Sequence, residues 1–158
     1  RQSPWDDFLT SVKRVEIADG ITSIGDYGLA QCSNLISVTI PNSVMSIGES
    51  AFLRCDSLVE ITIPGSVAAI EDFAFYECDK LKSVTILEGL RTIGEYAFSR
   101  CDNLNNIIIP EGTQSIDNWA FSHCDNLEKI TIPDSVNSIA RNAFRYCVNL
   151  TDRGCRTK

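Results

Sequence analysis

Residues 36–58, ISVTIPNSVMSIGESAFLRCDSL, decide the fold of the chain, because the same pattern occurs six times without insertion or deletion. Every copy is 23 residues long and ends in Cys-x-x-Leu. A fixed period of roughly 20 to 29 residues is typical of a solenoid, in which each unit stacks only on its neighbours. The six predicted units are 13–35, 36–58, 59–81, 82–104, 105–127 and 128–150.

The first half of each unit is predicted to be a strand followed by a turn. In residues 37–40, SVTI, polar and apolar residues alternate with the period of a half-buried strand. Pro41 cannot donate a hydrogen bond to a neighbouring strand, so the strand ends there. Asn42 and Ser43 then indicate a turn.

The second half of the unit returns through a second apolar segment. Val44 and Ile47 are three residues apart, a spacing that fits either a short irregular strand or one turn of 3₁₀ helix. Phe52 and Cys55 are also three apart, so we expect a single helical turn that points both side chains inward.

The cysteines of the repeat indicate a core rather than a metal site or a set of disulfides. Metal sites group cysteines two to four residues apart, often with histidines, whereas these cysteines are 23 residues apart and the chain has one histidine. Parallel strands also point their Cβ atoms in the same direction, but a disulfide needs them to converge to ~3.8 Å. We expect reduced, buried thiols at Cys32, Cys55, Cys78, Cys101, Cys124 and Cys147, and an exposed thiol at Cys155, outside the repeat.

The pattern x-I-P-x-S-V-x-x-I-G-x-x-A-F-x-x-C-x-x-L resembles the BspA-type leucine-rich repeats over residues 13–150. The resemblance implies a leucine-rich-repeat solenoid of the α/β horseshoe class that is rich in β-structure. Its parallel sheet lies on the concave face, with short strands or 3₁₀ turns on the convex face. It also implies a secreted or cell-surface protein that adheres to host matrix proteins or to other cells.

Residues 1–12 lie outside the repeat and are predicted to form a helix that caps the first unit. Ser3 and Pro4 are suited to the N-cap and the first helical position. Trp5, Phe8, Leu9 and Val12 then form one apolar face.

Residues 151–158 form a polar tail in which Arg153 takes an inward strand position, so the last unit is expected to be uncovered. Its strand edge would be unpaired, which favours either a longer array or end-to-end association of two chains through residues 128–150. The side chains expected to face water are Ile130, Ile132, Phe144 and Tyr146.

The predicted ligand-binding surface is the outward side of the concave sheet, because solenoids bind with this extended face. Threonine is also simply favoured on a pleated surface, but Ile108, Glu60, Asn106 and Lys129 make individual units different. The ligand is expected to be a protein of the host matrix or cell surface, or a glycan. One outward column is Arg14, Ser37, Glu60, Ser83, Asn106 and Lys129, and the other is Glu16, Thr39, Thr62, Thr85, Ile108 and Thr131.

Two further columns are alternative sites. An aromatic stripe on the convex face could contact a partner, or its side chains could lie half-buried over their neighbours; its members are Tyr27, Phe73, Tyr96 and Trp119. An acidic column could bind Ca²⁺ between units, although aspartates at these positions also favour turns; its members are Asp56, Asp79, Asp102 and Asp125.

Composition and motifs leave a binding module as the leading hypothesis. A net charge of −7 argues against nucleic acid, which needs a basic surface. No apolar run approaches the ~20 residues of a membrane-spanning helix. The chain lacks a Gly-x-Ser-x-Gly, a phosphate loop and a His-Glu-x-x-His, and His123 is expected to be a solvated surface imidazole. We therefore expect a non-catalytic adhesion module without cofactor or metal, or alternatively a structural spacer in a larger surface protein.

Overall fold

A computed structural model describes the backbone of residues 6–153 and the side chains of residues 8–151. In this range the chain is a parallel β-solenoid in which paired residues are 23 positions apart, as in Ile61 with Val84. Helix α1 (Asp6–Ser11) precedes the first strand. The odd-numbered strands are β1 (Arg14–Glu16), β3 (Ser37–Thr39), β5 (Glu60–Ile63), β7 (Ser83–Ile86), β9 (Asn106–Ile108) and β11 (Lys129–Thr131), which have three or four residues, and the two-residue β13 (Asp152–Arg153). The shorter strands are β2 (Ser23–Ile24), β4 (Ser46–Ile47), β6 (Ala69–Ile70), β8 (Thr92–Ile93), β10 (Ser115–Ile116) and β12 (Ser138–Ile139).

The odd-numbered strands form one side of the solenoid, which we call the long-strand face. They pair in three parallel ladders, β1–β3, β5–β7 and β9–β11–β13. The first two ladders are also joined where the Val59 N–H donates to the Ile36 carbonyl at 3.4 Å. The alternation read from residues 37–40 therefore predicts the strands of this face correctly.

The even-numbered strands form a single six-stranded parallel sheet on the opposite leg of each unit. The two alternatives for the Val44–Ile47 spacing are thereby resolved, because this leg contains the short strand β4 rather than a 3₁₀ turn. Ile47 is fully buried, while Met45 is 59% exposed on the outer side of this leg.

The helical turn expected at Phe52–Cys55 is wrong. This segment is a series of tight turns in which Ser50 and Arg54 have the left-handed φ values of 54° and 57°, which a right-handed helix cannot contain. As a result, every second backbone N–H group points out of the segment and donates a hydrogen bond to a backbone carbonyl of the next unit. These hydrogen bonds join Ser50 to Asp72, Phe52 to Ala74 and Arg54 to Tyr76 at 2.7–2.9 Å.

Stacked phenylalanines run along the centre of the core. The rings of Phe52 and Phe75 are parallel, with centroids 4.9 Å apart, and the stack continues to Phe98 at 5.1 Å and Phe121 at 5.3 Å. Because all four rings are fully buried, each unit contributes a large apolar group to one continuous interior.

The cysteines form a second buried ladder with a polar contact that the sequence did not suggest. From Cys55 onward, each thiol donates to the main-chain carbonyl 26 residues earlier, as Cys78 does to Phe52 at 3.1 Å and Cys101 to Phe75 at 3.3 Å. Cys32, Cys55, Cys78, Cys101 and Cys124 are buried free thiols, as predicted, whereas Cys147, also expected to be buried, is half-buried in the last unit. Burial raises the pKa of the Cys55 thiol to about 12, so the reactive thiolate is suppressed. Cys155 lies outside the described residues.

At the N-terminal end, Leu9 of helix α1 and Val12 just after the helix pack half-buried against the core. The Asn34 side-chain amide donates to the Thr10 carbonyl at 2.5 Å, which ties this segment to the first unit. Ser3, Pro4 and Trp5 lie outside the described residues, so the full cap helix over 1–12 stays a prediction.

At the C-terminal end, the expectation of an unpaired last strand is wrong. Strand β13 pairs with β11, placing Arg153 opposite Ile130 in the parallel register. Ile130 is fully buried, Ile132 and Phe144 are half-buried, and Tyr146 is 49% exposed. End-to-end association through residues 128–150 stays a prediction.

Candidate binding surface on the long-strand face

The two predicted columns lie side by side on the outer surface of the long-strand face. Strand β5 shows the reason, since Glu60 and Thr62 are exposed whereas Ile61 and Ile63 point into the core. The parallel register places equivalent residues next to one another, as it does Lys129 beside Asn106. Eleven of the twelve predicted residues are exposed, and the twelfth, Ser37, is half-buried.

A shallow depression of about 460 Å³ lies over β3, β5 and β7. Its floor is formed mainly by short hydroxyl side chains, together with the carboxylate of Glu60. These groups can donate and accept hydrogen bonds, and Val38, Ile40 and Ile61 also line the depression. The residues from the predicted columns that line it are Ser37, Thr39, Glu60, Thr62, Ser83 and Thr85.

A second depression of about 480 Å³ lies over β9 and β11 and differs in chemistry. Ile108 is 67% exposed at this site, beside the amide of Asn106 and the ammonium group of Lys129. The sequence reading missed Asn105 and Glu128, which also line the depression. They precede the strands, outside the alternating positions, and the Asn106 amide contacts Asn105 at 3.0 Å.

The acidic column does not assemble into a metal site among residues 8–151, where no group of three His, Cys, Asp or Glu side chains could hold a metal ion. The pKa of Asp56 is raised, mainly by desolvation and to a smaller extent by repulsion from Asp79. The pKa of Asp102 is also raised, again mainly by desolvation, with smaller contributions from repulsion by Asp125 and Asp79. Beside the column, the Glu77 carboxylate forms salt bridges with Arg54 at 2.7 Å and with Arg100 at 3.9 Å.

Asparagines next to the acidic column form hydrogen bonds between units that the sequence did not suggest. Each amide donates to the main-chain carbonyl of an aspartate in the preceding unit, as Asn103 does to Asp79 at 2.6 Å and Asn126 to Asp102 at 2.6 Å. This repeated bond explains why the position after the aspartate often holds asparagine.

Three of the four residues of the predicted aromatic stripe form a continuous stack, which we call the aromatic column (Phe73, Tyr96 and Trp119). Their centroids are 4.9 Å and 6.0 Å apart and their planes nearly parallel. Tyr27 is separated from them by the buried Ser50, and its hydroxyl contacts Glu49 at 3.4 Å. The sequence reading missed Tyr76, which meets the Phe73 ring edge-on at 5.6 Å.

The expectation of a fully solvated His123 is wrong. Its ring is half-buried and stacks on Tyr146, with centroids 4.5 Å apart. The Arg145 guanidinium lies 4.9 Å from the same Tyr146 ring and 5.5 Å from Trp119. This cluster continues the aromatic column at the last unit.

Residues 22–151 match six copies of the family model described as the BspA type leucine-rich repeat region. The chain belongs to the BspA-type leucine-rich repeat family. The 23-residue spacing of its strand pairs accords with this family assignment. No curated protein matches the chain. No helix among residues 6–153 is long and apolar enough to cross a membrane.

Solved leucine-rich repeat proteins share the fold. A T. pallidum leucine-rich repeat protein is 25% identical with a TM-score of 0.84, covering 94% of this chain and 75% of that one. A leucine-rich repeat protein from Eubacterium ventriosum is 20% identical with a TM-score of 0.76, covering 94% of this chain and 45% of that one. A leucine rich cell surface protein from Faecalibacterium prausnitzii is 24% identical with a TM-score of 0.56, covering 91% and 60%. The chain thus spans less than two thirds of the latter two proteins.

Proposed function

We propose that this BspA-type repeat is a non-catalytic adhesion module that binds a protein of the host matrix or cell surface through its long-strand face. The observation that carries the proposal is the exposure of Ile108, the one branched apolar side chain in an outward column otherwise made of threonines and Glu16. An exposed apolar side chain among hydrogen-bonding groups fits the anchor of a protein interface, where apolar burial and polar contacts occur together.

The arrangement of the face supports this proposal. Residues that point inward are nearly identical from unit to unit because they fill the core, whereas the outward positions vary at Glu60, Asn106, Ile108 and Lys129. The wide, shallow depressions suit a protein surface better than a small molecule, which usually occupies a deep pocket. A glycan could use the hydroxyl-rich depression over β3, β5 and β7.

We further propose a secreted or cell-surface location. The Faecalibacterium prausnitzii relative bears the description of a cell surface protein. The buried thiols, such as Cys55 and Cys78, are compatible with an oxidising environment, because burial raises their pKa values and so lowers the amount of reactive thiolate.

Biolayer interferometry against immobilised fibronectin, laminin, collagen and a glycan set tests the proposal. We expect at least one ligand to bind, and Ile108→Thr to weaken that binding by about tenfold, the loss expected for a buried apolar anchor. Met45→Thr is the matched control, because Met45 is similarly exposed but lies on the short-strand leg.

Two outcomes would contradict the proposal. Absence of binding to every ligand would favour the structural spacer, which needs no binding surface. Equal affinity of the Ile108→Thr and Met45→Thr variants would place the interface outside the long-strand face.

A further inference from the structure

A second surface, on the turn segments that follow the even-numbered strands, carries chemistry that the long-strand face lacks. It consists of three tripeptides from successive units, and each ends in a member of the aromatic column. They are Glu71–Phe73, Gly94–Tyr96 and Asp117–Trp119. The Phe73 N–H donates to the Glu95 carbonyl at 2.8 Å, and the Tyr96 N–H donates to the Asn118 carbonyl at 3.2 Å. The three aromatic side chains therefore lie next to three successive acidic segments.

The aromatic column is half-buried and leaves part of each ring accessible to a partner. Tyr76 packs edge-on against Phe73 and Tyr96, which holds these rings in one orientation. Rigid, preordered aromatic groups lose little conformational freedom when they bind, which favours their use in interfaces.

The charges beside the column determine which partner fits. Glu71, Asp72 and Asp117 are exposed and Glu95 is half-exposed, with no basic residue among the three tripeptides. Within residues 8–151, the salt bridges of neighbouring Arg54 and Arg100 go to Glu77 instead. The surface therefore has excess negative charge next to accessible aromatic rings, which is complementary to a basic group that can also stack.

The chain itself shows that a guanidinium fits against this column. Arg145 places its guanidinium 5.5 Å from the centroid of Trp119, the last ring of the stack. Arginine stacks on aromatic rings and pairs with carboxylates through the same planar group, whereas the ammonium of lysine is a compact, strongly hydrated charge.

We propose that the aromatic column and its flanking carboxylates form a docking surface for an arginine-containing segment of a partner protein. The surface is separate from the long-strand face, so it does not depend on the adhesion function proposed above. Attraction between carboxylates and guanidinium groups brings the segment to the surface, and contact with the accessible parts of the rings holds it there. Because the carboxylates are exposed, salt must weaken the binding.

Titration with a capped peptide of six arginines tests the proposal, with calorimetry as the readout at low salt and at 0.5 M NaCl. The test variant is Glu71→Gln/Glu95→Gln, which removes two charges with little change of shape. The control variant is Glu88→Gln/Glu111→Gln, which removes two exposed charges from turns elsewhere. A peptide of six lysines tests the role of stacking.

We expect the test variant to bind the arginine peptide about tenfold more weakly than the wild type, and the control variant to bind within about twofold. The lysine peptide should bind more weakly than the arginine peptide, and Trp119→Leu should reduce that difference. Ile108→Thr should leave the arginine peptide affinity unchanged. Equal affinities of the two double variants, or no binding by a wild-type chain with an intact melting transition, would overturn the proposal.

Discussion

Substitution of Gly94 by alanine tests how tightly successive units are packed. A Cβ added at Gly94 would lie 2.6 Å from Asp72 Oδ1, 2.8 Å from the Asp72 nitrogen and 2.8 Å from the Glu71 carbonyl carbon. The Asp72 side chain could rotate away, but two of the three contacts are with backbone atoms. The two units must therefore move apart locally to accept one methyl group.

The expected cost follows from two contributions. Introducing a methyl group into a packed site of this kind costs about 1–3 kcal/mol. Asp72 Oδ1 also accepts the Glu95 N–H at 2.7 Å, and displacing the carboxylate loses a hydrogen bond of about 1 kcal/mol. We therefore expect Gly94→Ala to lower the free energy of unfolding by about 2–4 kcal/mol.

Gly25 provides the matched control, because it occupies the same position in the first unit, where no preceding unit lies beneath it. A Cβ at Gly25 would have no heavy atom within 4 Å. Gly25→Ala should be neutral or stabilise the protein by up to about 1 kcal/mol, since alanine reduces the freedom of the unfolded chain. Urea unfolding followed by circular dichroism measures both variants. Equal stability of the two would refute the close packing of units at this position.

Three further predictions concern the core and the acidic column. In a Cys155→Ser background, a thiol reagent should modify the half-buried Cys147 first, while Cys78, Cys101 and Cys124 react only after denaturation; rapid reaction of all would contradict their burial. Phe98→Ala should destabilise the protein by about 3–5 kcal/mol in urea, whereas a loss below 1 kcal/mol would mean that the ring stack contributes little. The folded-state pKa values of Asp56 and Asp102 are raised, chiefly by desolvation, so between the unfolded-state and folded-state pKa values the folded state binds more protons than the unfolded state. The contribution of these two groups to stability should therefore increase as the pH falls through the raised pKa values. Compared with the wild type, Asp56→Asn/Asp102→Asn should be more stable at pH 7 and less dependent on pH, and an identical pH profile would refute this.

The strands and the core could be predicted because the sequence repeats both at the same interval. Alternation in residues 37–40 places Val38 inward, and the period of 23 extends that assignment to every unit. The same two facts place Glu60, Asn106 and Ile108 on the outer surface. Side-chain direction along a strand depends only on position, so a candidate surface can be identified without coordinates.

The turns could not be predicted from spacing alone. Phe52 and Cys55 point inward from a series of turns as they would from a helix, and the distinction lies in the left-handed backbone of residues such as Arg54. Glycine or asparagine would have signalled that conformation, but here arginine, serine and aromatic residues adopt it. The stacking of His123 on Tyr146 was also hidden, because it joins different units through side-chain conformation.

The central claim is that binding resides in the outward positions of the long-strand face where units differ. It is tested most directly by a variant in which Asn106→Ser, Ile108→Thr and Lys129→Ser restore the serine and threonine pattern of residues 37–39. The measurement is the affinity of this variant for the ligand found in the matrix-protein screen, compared with the affinity of a Met45→Thr/Glu88→Gln/Glu111→Gln control variant for the same ligand. We predict an unchanged melting temperature and at least about tenfold weaker binding for the first variant only. Wild-type affinity in that variant would contradict the claim.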